Sequence, residues 1–413
     1  MDSTFYSGNR QALYGRLEEG AVAVVFSGLP LRKTADEYYP FFTDRNFMYL
    51  TGIDQVDAVL LGHGGQSLAE TLFIPPPDAH FERWNGERVK ADFAAALSGA
   101  ADIKYRVDYE AHFDRLLASG KVTAVYTPLF KYTRSEADGP EYALARYVRH
   151  RFPHVAVKDL MPHLKALRLI KKPCEIEAMR RAEEITGHGI VAMMQAAKPG
   201  ISELALRAEF FHAIMRHGAP TPAAPPIISA GKNNFCIHYH GHSGIAQDGD
   251  MVLNDVGVPF NGVVTDVSRG WPVNGRFNER QRLLYQCAYE TSNYMFGLIK
   301  PGMPMAEVDG IIRKVNFEHM RDIGLCPVWE DVGKYMWHGG AHHVGFDVHD
   351  MVAIQPTTPL APGMVFCVDI GIYVEEWGIG FRLEDNCLVT ETGCENLSAA
   401  IPRSIEEIEA VMN

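Results

Sequence analysis

Residues 251–273, MVLNDVGVPFNGVVTDVSRGWPV, constrain this chain more than any other stretch. They read as two β-branched runs, 252–258 and 263–267, joined across Asn261-Gly262, a pair that favours the φ > 0 conformations of a tight hairpin turn. A turn centred there sets Asp255 opposite Ser268 and Asp266 opposite Gly257. The two acids then lie diagonally on one face, about 7–8 Å apart at the backbone. Aspartate is disfavoured inside apolar strands, and two carboxylates sharing one space repel unless a cation lies between them. A divalent metal meets that requirement. The plainer alternative makes Asp255 a turn or edge residue and Asp266 an exposed one.

At 413 residues the chain is too long for one ordinary core, so two domains are expected. Its 47% hydrophobic and 22% charged content is that of a soluble globular protein. A formal net charge of −12, with no Lys/Arg block to reverse it, argues against a nucleic-acid partner. No run of about 18 apolar residues is present to span a membrane, and residues 1–20 lack the apolar core of a signal peptide. Seven scattered cysteines, with no C-x-x-C, fit the buried reduced thiols of a cytoplasmic protein better than a disulfide framework or zinc ribbon.

Strands expected at 21–26, 58–61, 71–74 and 122–126, with helices at 9–18 and 88–97, describe an α/β layer domain. The aromatic segment 34–52, with Phe41 and Phe42, is either core or a surface shared with another subunit, and Trp84 adds to it. The boundary falls near 160–165, giving domains 1–163 and 164–413. Pro173 then opens a helix whose apolar positions Ile176, Met179, Ala182 and Ile185 follow helical spacing. The second domain repeats an order. A helix ends at Lys198-Pro199-Gly200, Ser202 caps another that Gly218 stops, and an acidic strand pair follows. The helix 279–299 likewise ends at Lys300-Pro301-Gly302, the helix 305–323 stops at Gly324, and a second acidic strand pair follows. This order predicts two similar halves facing each other across a cleft, an α+β domain with internal pseudo-two-fold duplication.

In the second half, strands at 364–373 and 381–389 joined near Glu376-Trp377 place Asp369 opposite Glu384, with Arg382 on the same face. Such a cluster is either a neutralised buried salt bridge or a metal site with a substrate-binding arginine. Between the halves, 337–350 reads WHGGAHHVGFDVHD. His338 and His342 have the i, i+4 spacing of a zincin helix, but Gly339 stands where that motif needs its Glu, and Gly339-Gly340 disfavours a helix. A loop offering one metal ligand and nearby acid/base histidines fits better; satisfied core or surface histidines are the alternative. His238, His240 and His242 alternate as strand zinc ligands could, yet the Gly and Ser around them indicate a loop rim on which His238 alone is functional. Four carboxylates and one imidazole suit Mn²⁺ ahead of Co²⁺ or Zn²⁺. That is too many carboxylates for one catalytic ion, but two ions about 3.5–4 Å apart use them all.

With these residues in view, the chain resembles the aminopeptidase P family, in the proline-directed branch of the pita-bread metallopeptidases that also contains prolidase and creatinase. FFTDRNFMYLTG and RWNGERV carry the likeness in the first domain. In the second it is carried by RLIKKPCEIEAMRRAEEI, GKNNFCIHYH, the NDVG and TDVSRGWPVNG acids, HGGAHHVGFDVHD and FRLEDNCLVTETGCENL. The resemblance implies Asp255, Asp266, His342, Asp369 and Glu384 as ligands of two metal ions. It implies His238, His338 and His349 as groups that hold the substrate and shuttle protons, and Tyr373 and Arg382 as support for the attacking hydroxide and the proline-side pocket. The implied activity is release of the N-terminal residue from peptides with proline second, by a homodimer or homotetramer. A prolidase limited to Xaa-Pro dipeptides, or a metal-deficient binding protein, are the alternatives. Two departures matter. Asp369-Ile370-Gly371 stands where the family has Glu-Pro-Gly, so the expected ligand and general base is one methylene shorter. Residues 351–360, MVAIQPTTPL, lack an arginine expected there.

Overall fold

A computed structural model describes residues 1–65, 69–350 and 355–413. The chain divides into two compact units, Met1–Arg168 and Leu169–Asn413.

The first unit is built on the strand β1 (Ala21–Phe26), apolar and buried at every position. Continuous burial on both faces is what a central strand requires. A short exposed ribbon follows, β2 (Arg32–Thr34) with β3 (Glu37–Tyr38). Then come β4 (Val59–His63), β5 (Glu70–Ile74), β6 (Ile103–Tyr105), β7 (Ala124–Thr127) and β8 (Ala156–Asp159), giving one sheet in the order β6-β5-β4-β1-β7-β8. The edge strands β6 and β8 escape a sequence reading because neither carries an apolar run. The helix expected at 9–18 runs Ser3–Tyr14 instead. Asp2 caps it, its side chain accepting the N–H groups of Thr4 and Phe5, and this fixes an earlier start than the apolar pattern indicates. The helix expected at 88–97 runs Ala91–Ser98. The aromatic segment splits: Phe47 and Tyr49 are core, whereas Phe42 and Trp84 are 61% and 76% exposed.

In the second unit the helix opened by Pro173 runs Pro173–Ala196, and Ser202 caps Glu203–Arg216 through the N–H of Ala205. The strands β9 (Ile227–Ala230), β10 (Met251–Val256) and β13 (Val267–Pro272) form one sheet, ordered β13-β10-β9. Between β10 and β13 the hairpin narrows to β11 (Pro259–Phe260) and β12 (Val263–Val264). Asn261 and Gly262 take φ of 50° and 90°, the pair of positive values that the tight turn needs. Asp255 accordingly pairs with Ser268, the register read from the sequence. The helices Glu279–Leu298 and Met305–Asp322 then repeat the order. They lead to β14 (Val365–Val374), β15 (Ile379–Val389) and β16 (Cys394–Asn396), ordered β14-β15-β16, with Asp369 opposite Glu384. The unit is thus an α+β pita-bread domain with two similar halves.

The two sheets meet along β13 and β15. Gly270 permits the approach, since a Cβ there would lie 2.6 Å from the Phe381 Cβ. Next to it Arg269 is wholly buried, donating to the Glu384 carbonyl at 2.8 Å and to Asp385 Oδ1 at 2.7 Å. Removing one partner of a buried pair leaves the other charged and unsolvated, at about 3–5 kcal/mol. We therefore expect Asp385→Ala to lower the thermal midpoint of this unit by roughly 6–20 °C, read by circular dichroism. A shift of under about 2 °C would show that the pair does not hold the sheets together.

Candidate metal centre

The acids come from both halves, and each is delivered by backbone register. Asp255 leaves β10, Asp266 stands one residue before β13, and Asp369 and Glu384 face one another across β14 and β15. Residues 337–350, with no regular helix, supply histidines. His342 Nε2 lies 3.4 Å from Glu384 Oε1 and 3.6 Å from Asp266 Oδ2. Acceptor or donor atoms of Asp266, His342, Cys367 and Glu384 all fall within 4.8 Å of one another. Asp369 Oδ2 lies 3.1 Å from His338 Nδ1, whose Nε2 is 3.1 Å from the Tyr373 hydroxyl.

Arg382 could have neutralised Asp369 and Glu384 on its own sheet face. Instead its guanidinium crosses to the other half to donate to Asp255 Oδ2, and donates to the Tyr373 hydroxyl of its own hairpin, both at 2.9 Å. Asp255 is therefore partly neutralised by arginine, while Asp266 and Glu384 are not. Glu384 Oε2 accepts from the Ser268 hydroxyl at 2.8 Å, but Glu384 Oε1 and Asp369 Oδ1 are buried with no hydrogen-bond partner. Leaving such oxygens unmet costs about 1–3 kcal/mol each, more if charged.

Electrostatics follow from this arrangement. Burial pushes the Asp266 carboxyl well above the usual range, and the charges of Glu384 and Asp255 push it further. Glu384 is raised by burial and by Asp369, against the pull of His342. Burial would raise Asp255 too, but Arg382, a hydrogen bond with Asp266 and the charge of His342 together outweigh it and hold that carboxyl low. The cluster cannot ionise fully on its own, and divalent cations among these oxygens would remove the penalty. The donor set, hard oxygens with an imidazole, fits such ions.

A cavity of about 200 Å³ opens beside the acids, lined by Asp255, Asp266, His238, His349 and apolar groups that include Pro225 and Ile227. His349 also packs its ring against His342, centroids 4.5 Å apart. His240, set aside in the sequence reading, lines the cavity as well. His343 is a core histidine, its pKa pushed down to about 4 by burial and Lys171. His238 sits in a loop, as its Gly and Ser neighbours indicated. All ten expected site residues thus converge. Residues 351–354 of the arginine-lacking segment lie outside the described residues.

Sequence reasoning missed three contributors. Glu203, buried at a helix start, accepts from the Tyr239 hydroxyl, Asn233 Nδ2 and the Gly244 N–H, and so pins the loop bearing His238. Ser268 orients Glu384, and Cys367 enters the acid cluster. Only the hairpin register could have signalled the last two. All seven cysteines are free, but Cys174 and Cys236 are exposed rather than buried.

Acids and histidines gathered in a duplicated α+β domain define a class, the metal-dependent hydrolases. Comparison with known proteins narrows it. Metallopeptidase family M24 matches residues 177–391, and the aminopeptidase P N-terminal domain matches residues 6–126. The Xaa-Pro aminopeptidase of Escherichia coli (strain K12) is 31% identical over 437 residues, covering 98% of this chain and 96% of that protein. The structure of a putative aminopeptidase P from Bacillus anthracis superposes with a TM-score of 0.97 at 33% identity, covering 100% of this chain and 98% of the other. Aminopeptidase P from E. coli with the inhibitor Pro-Leu does so at 0.90 and 30%, covering 100% and 98%. The chain belongs to metallopeptidase family M24, in its aminopeptidase P branch.

His338 offers a direct check on the site's electrostatics. Burial lowers its pKa, but the charge of Asp369 and their hydrogen bond raise it to about 9. In metal-free protein its ionised form therefore stabilises the fold fully below about pH 6.5. That contribution is lost as pH rises through about 9. In Asp369→Asn the midpoint should fall, because burial is then opposed by the hydrogen bond to the Gly339 carbonyl without the charge of Asp369. Imidazole NMR titration reads this, and an unmoved midpoint would exclude Asp369 as the cause.

Proposed function

We propose that this chain is an Xaa-Pro aminopeptidase, releasing the first residue from peptides whose second residue is proline. In this reading Asp255, Asp266, His342, Asp369 and Glu384 hold two divalent ions, Mn²⁺ in preference to Co²⁺ or Zn²⁺. The unit 1–168 is its aminopeptidase P-type domain, and the unit 169–413 its catalytic domain. The observation that carries the reading is the buried cluster of Asp266, Glu384, Asp369 and His342, with unpartnered oxygens on Glu384 and Asp369, beside a small cavity that Asp266 lines together with histidines and apolar groups.

When bound, the ions supply Lewis acidity, making a water acidic enough to yield hydroxide near neutral pH and polarising a carbonyl. Asp369 accepts the proton of the attacking water and passes it towards the leaving proline nitrogen. His338 has both ring nitrogens engaged, by Asp369 and Tyr373, which suits it to position Asp369, and His349 at the cavity wall is placed to donate a hydrogen bond to the oxygen that gains charge. His238 and His349 face the cavity and hold the peptide. Arg382 is buried, and its donors are engaged by Asp255 and Tyr373, which favours a positioning role over direct substrate contact. A proline amide has no N–H to recognise, so the apolar wall selects it by ring shape. Exposed Phe42 and Trp84 support self-association as a dimer or tetramer, and free cysteines suit a reducing compartment such as the cytoplasm.

Purified protein loaded with Mn²⁺ should release the first residue of an Xaa-Pro-Xaa peptide and lose that activity on chelation. His338→Ala should lower kcat by about 10²–10⁴-fold while metal content stays at two ions. Cleavage of Xaa-Pro dipeptides alone would mark a prolidase. No release under several metals, with the fold intact, would exclude peptidase activity. Asp369 is tested separately: Asp369→Glu should raise metal occupancy or activity, and a fall in both would show that the shorter acid is tuned to its own site.

A further inference from the structure

Cys367 is the unexpected member of the cluster. It lies two residues before Asp369 on β14, hence on the same sheet face, and pairs across the ladder with Asn386. The side chain is wholly buried. Its sulfur and one atom each of Asp266, His342 and Glu384 lie within 4.8 Å of one another. Glu384 is 2% exposed, its Oε1 lies 3.4 Å from His342 Nε2, and the Cys367 thiol is within hydrogen-bonding reach of this carboxylate. A tetrahedral site with bonds of about 2.0–2.3 Å separates its donors by roughly 3.3–3.8 Å, a modest contraction from the spacing seen here.

Donor chemistry gives the arrangement a consequence. Oxygen and imidazole ligands suit Mn²⁺, whereas a thiolate selects softer cations. We propose that Cys367 is an additional ligand to the cation held by Asp266, His342 and Glu384, making that position selective for a sulfur-preferring divalent ion such as Zn²⁺, Co²⁺ or Cd²⁺. Asp255, which comes from the other half and is paired with Arg382, keeps the all-oxygen character that suits Mn²⁺. The inference rests on the metal-centre reading above. On binding, the S–H bond breaks, its proton passes to the buffer, and the sulfur electron pair forms the bond to the cation; nothing is oxidised or reduced.

The test uses the full-length chain, stripped of metal and titrated with Co²⁺. A sulfur-to-cobalt charge-transfer band should appear in the near ultraviolet. Cys367→Thr should abolish it while still binding Co²⁺, and Cys387→Ser should keep it. In competition, the Cd²⁺-over-Mn²⁺ affinity ratio should fall by about 10- to 100-fold in Cys367→Thr. X-ray absorption at the cadmium edge of the unsubstituted protein detects a Cd–S bond whether or not the variants fold. Cobalt bound without the band, and cadmium with only oxygen and nitrogen neighbours, would overturn the ligand assignment while leaving the metal centre standing. Failure to bind any of these cations would overturn both.

Discussion

Four carboxylates share one buried neighbourhood, and the rest of the site is an answer to their mutual repulsion. Two of them find cationic partners within the chain. Asp255 has Arg382, and Asp369 has His338. Asp266 and Glu384 are left with the single imidazole of His342. Desolvation and like charge raise both of these carboxyls. The site is therefore held in tension by design of the fold, and divalent cations are the simplest relief.

The duplicated architecture explains how such an unfavourable grouping is tolerated. Each half builds its own hairpin on its own pair of helices, so the acids are fixed by ladders that would form without them. What joins the halves is a set of buried polar ties beneath the acids. Arg269 bonds to Asp385 and to the Glu384 backbone, and Asn234 Nδ2 bonds to the carbonyls of Met251 and Gly380. Tyr373 adds a third tie, packing with Ile227 and Leu253 of the first half while its hydroxyl meets Arg382 and His338 of its own. The supports are thus satisfied where the acid oxygens are not, a division expected of a site that spends stability on function.

Asp369 stands where the resemblance to the family implies a glutamate. Its shorter side chain still faces Glu384 in register, and one oxygen reaches His338 while the other has no partner. The backbone thus aims the carboxylate into the space it shares with Glu384 and His338. The neighbouring Cys367 brings a softer donor into the same space. These two residues give the site a character of its own within an otherwise conventional frame.

Local sequence was enough for several features, because local rules decide them. Asn261-Gly262 fixes the hairpin turn, and the turn fixes the register of Asp255 against Ser268. Period-two geometry then places Asp369 opposite Glu384, and caps and stops such as Ser202 and Gly324 mark the repeated helices. The glycines of 337–350 exclude a helix there. Other features depend on neighbours distant in the chain. Whether Arg382 neutralises the acids on its own strand or the one in the other half depends on how closely β13 and β15 approach, which Gly270 permits. Glu203, Ser268 and Cys367 carry no motif, and they matter only because folding sets them against Tyr239, Glu384 and Asp266. Burial decides the rest: the same carboxylate is an ordinary surface charge in water and an unmet one in the cleft, and sequence spacing does not encode which environment it meets.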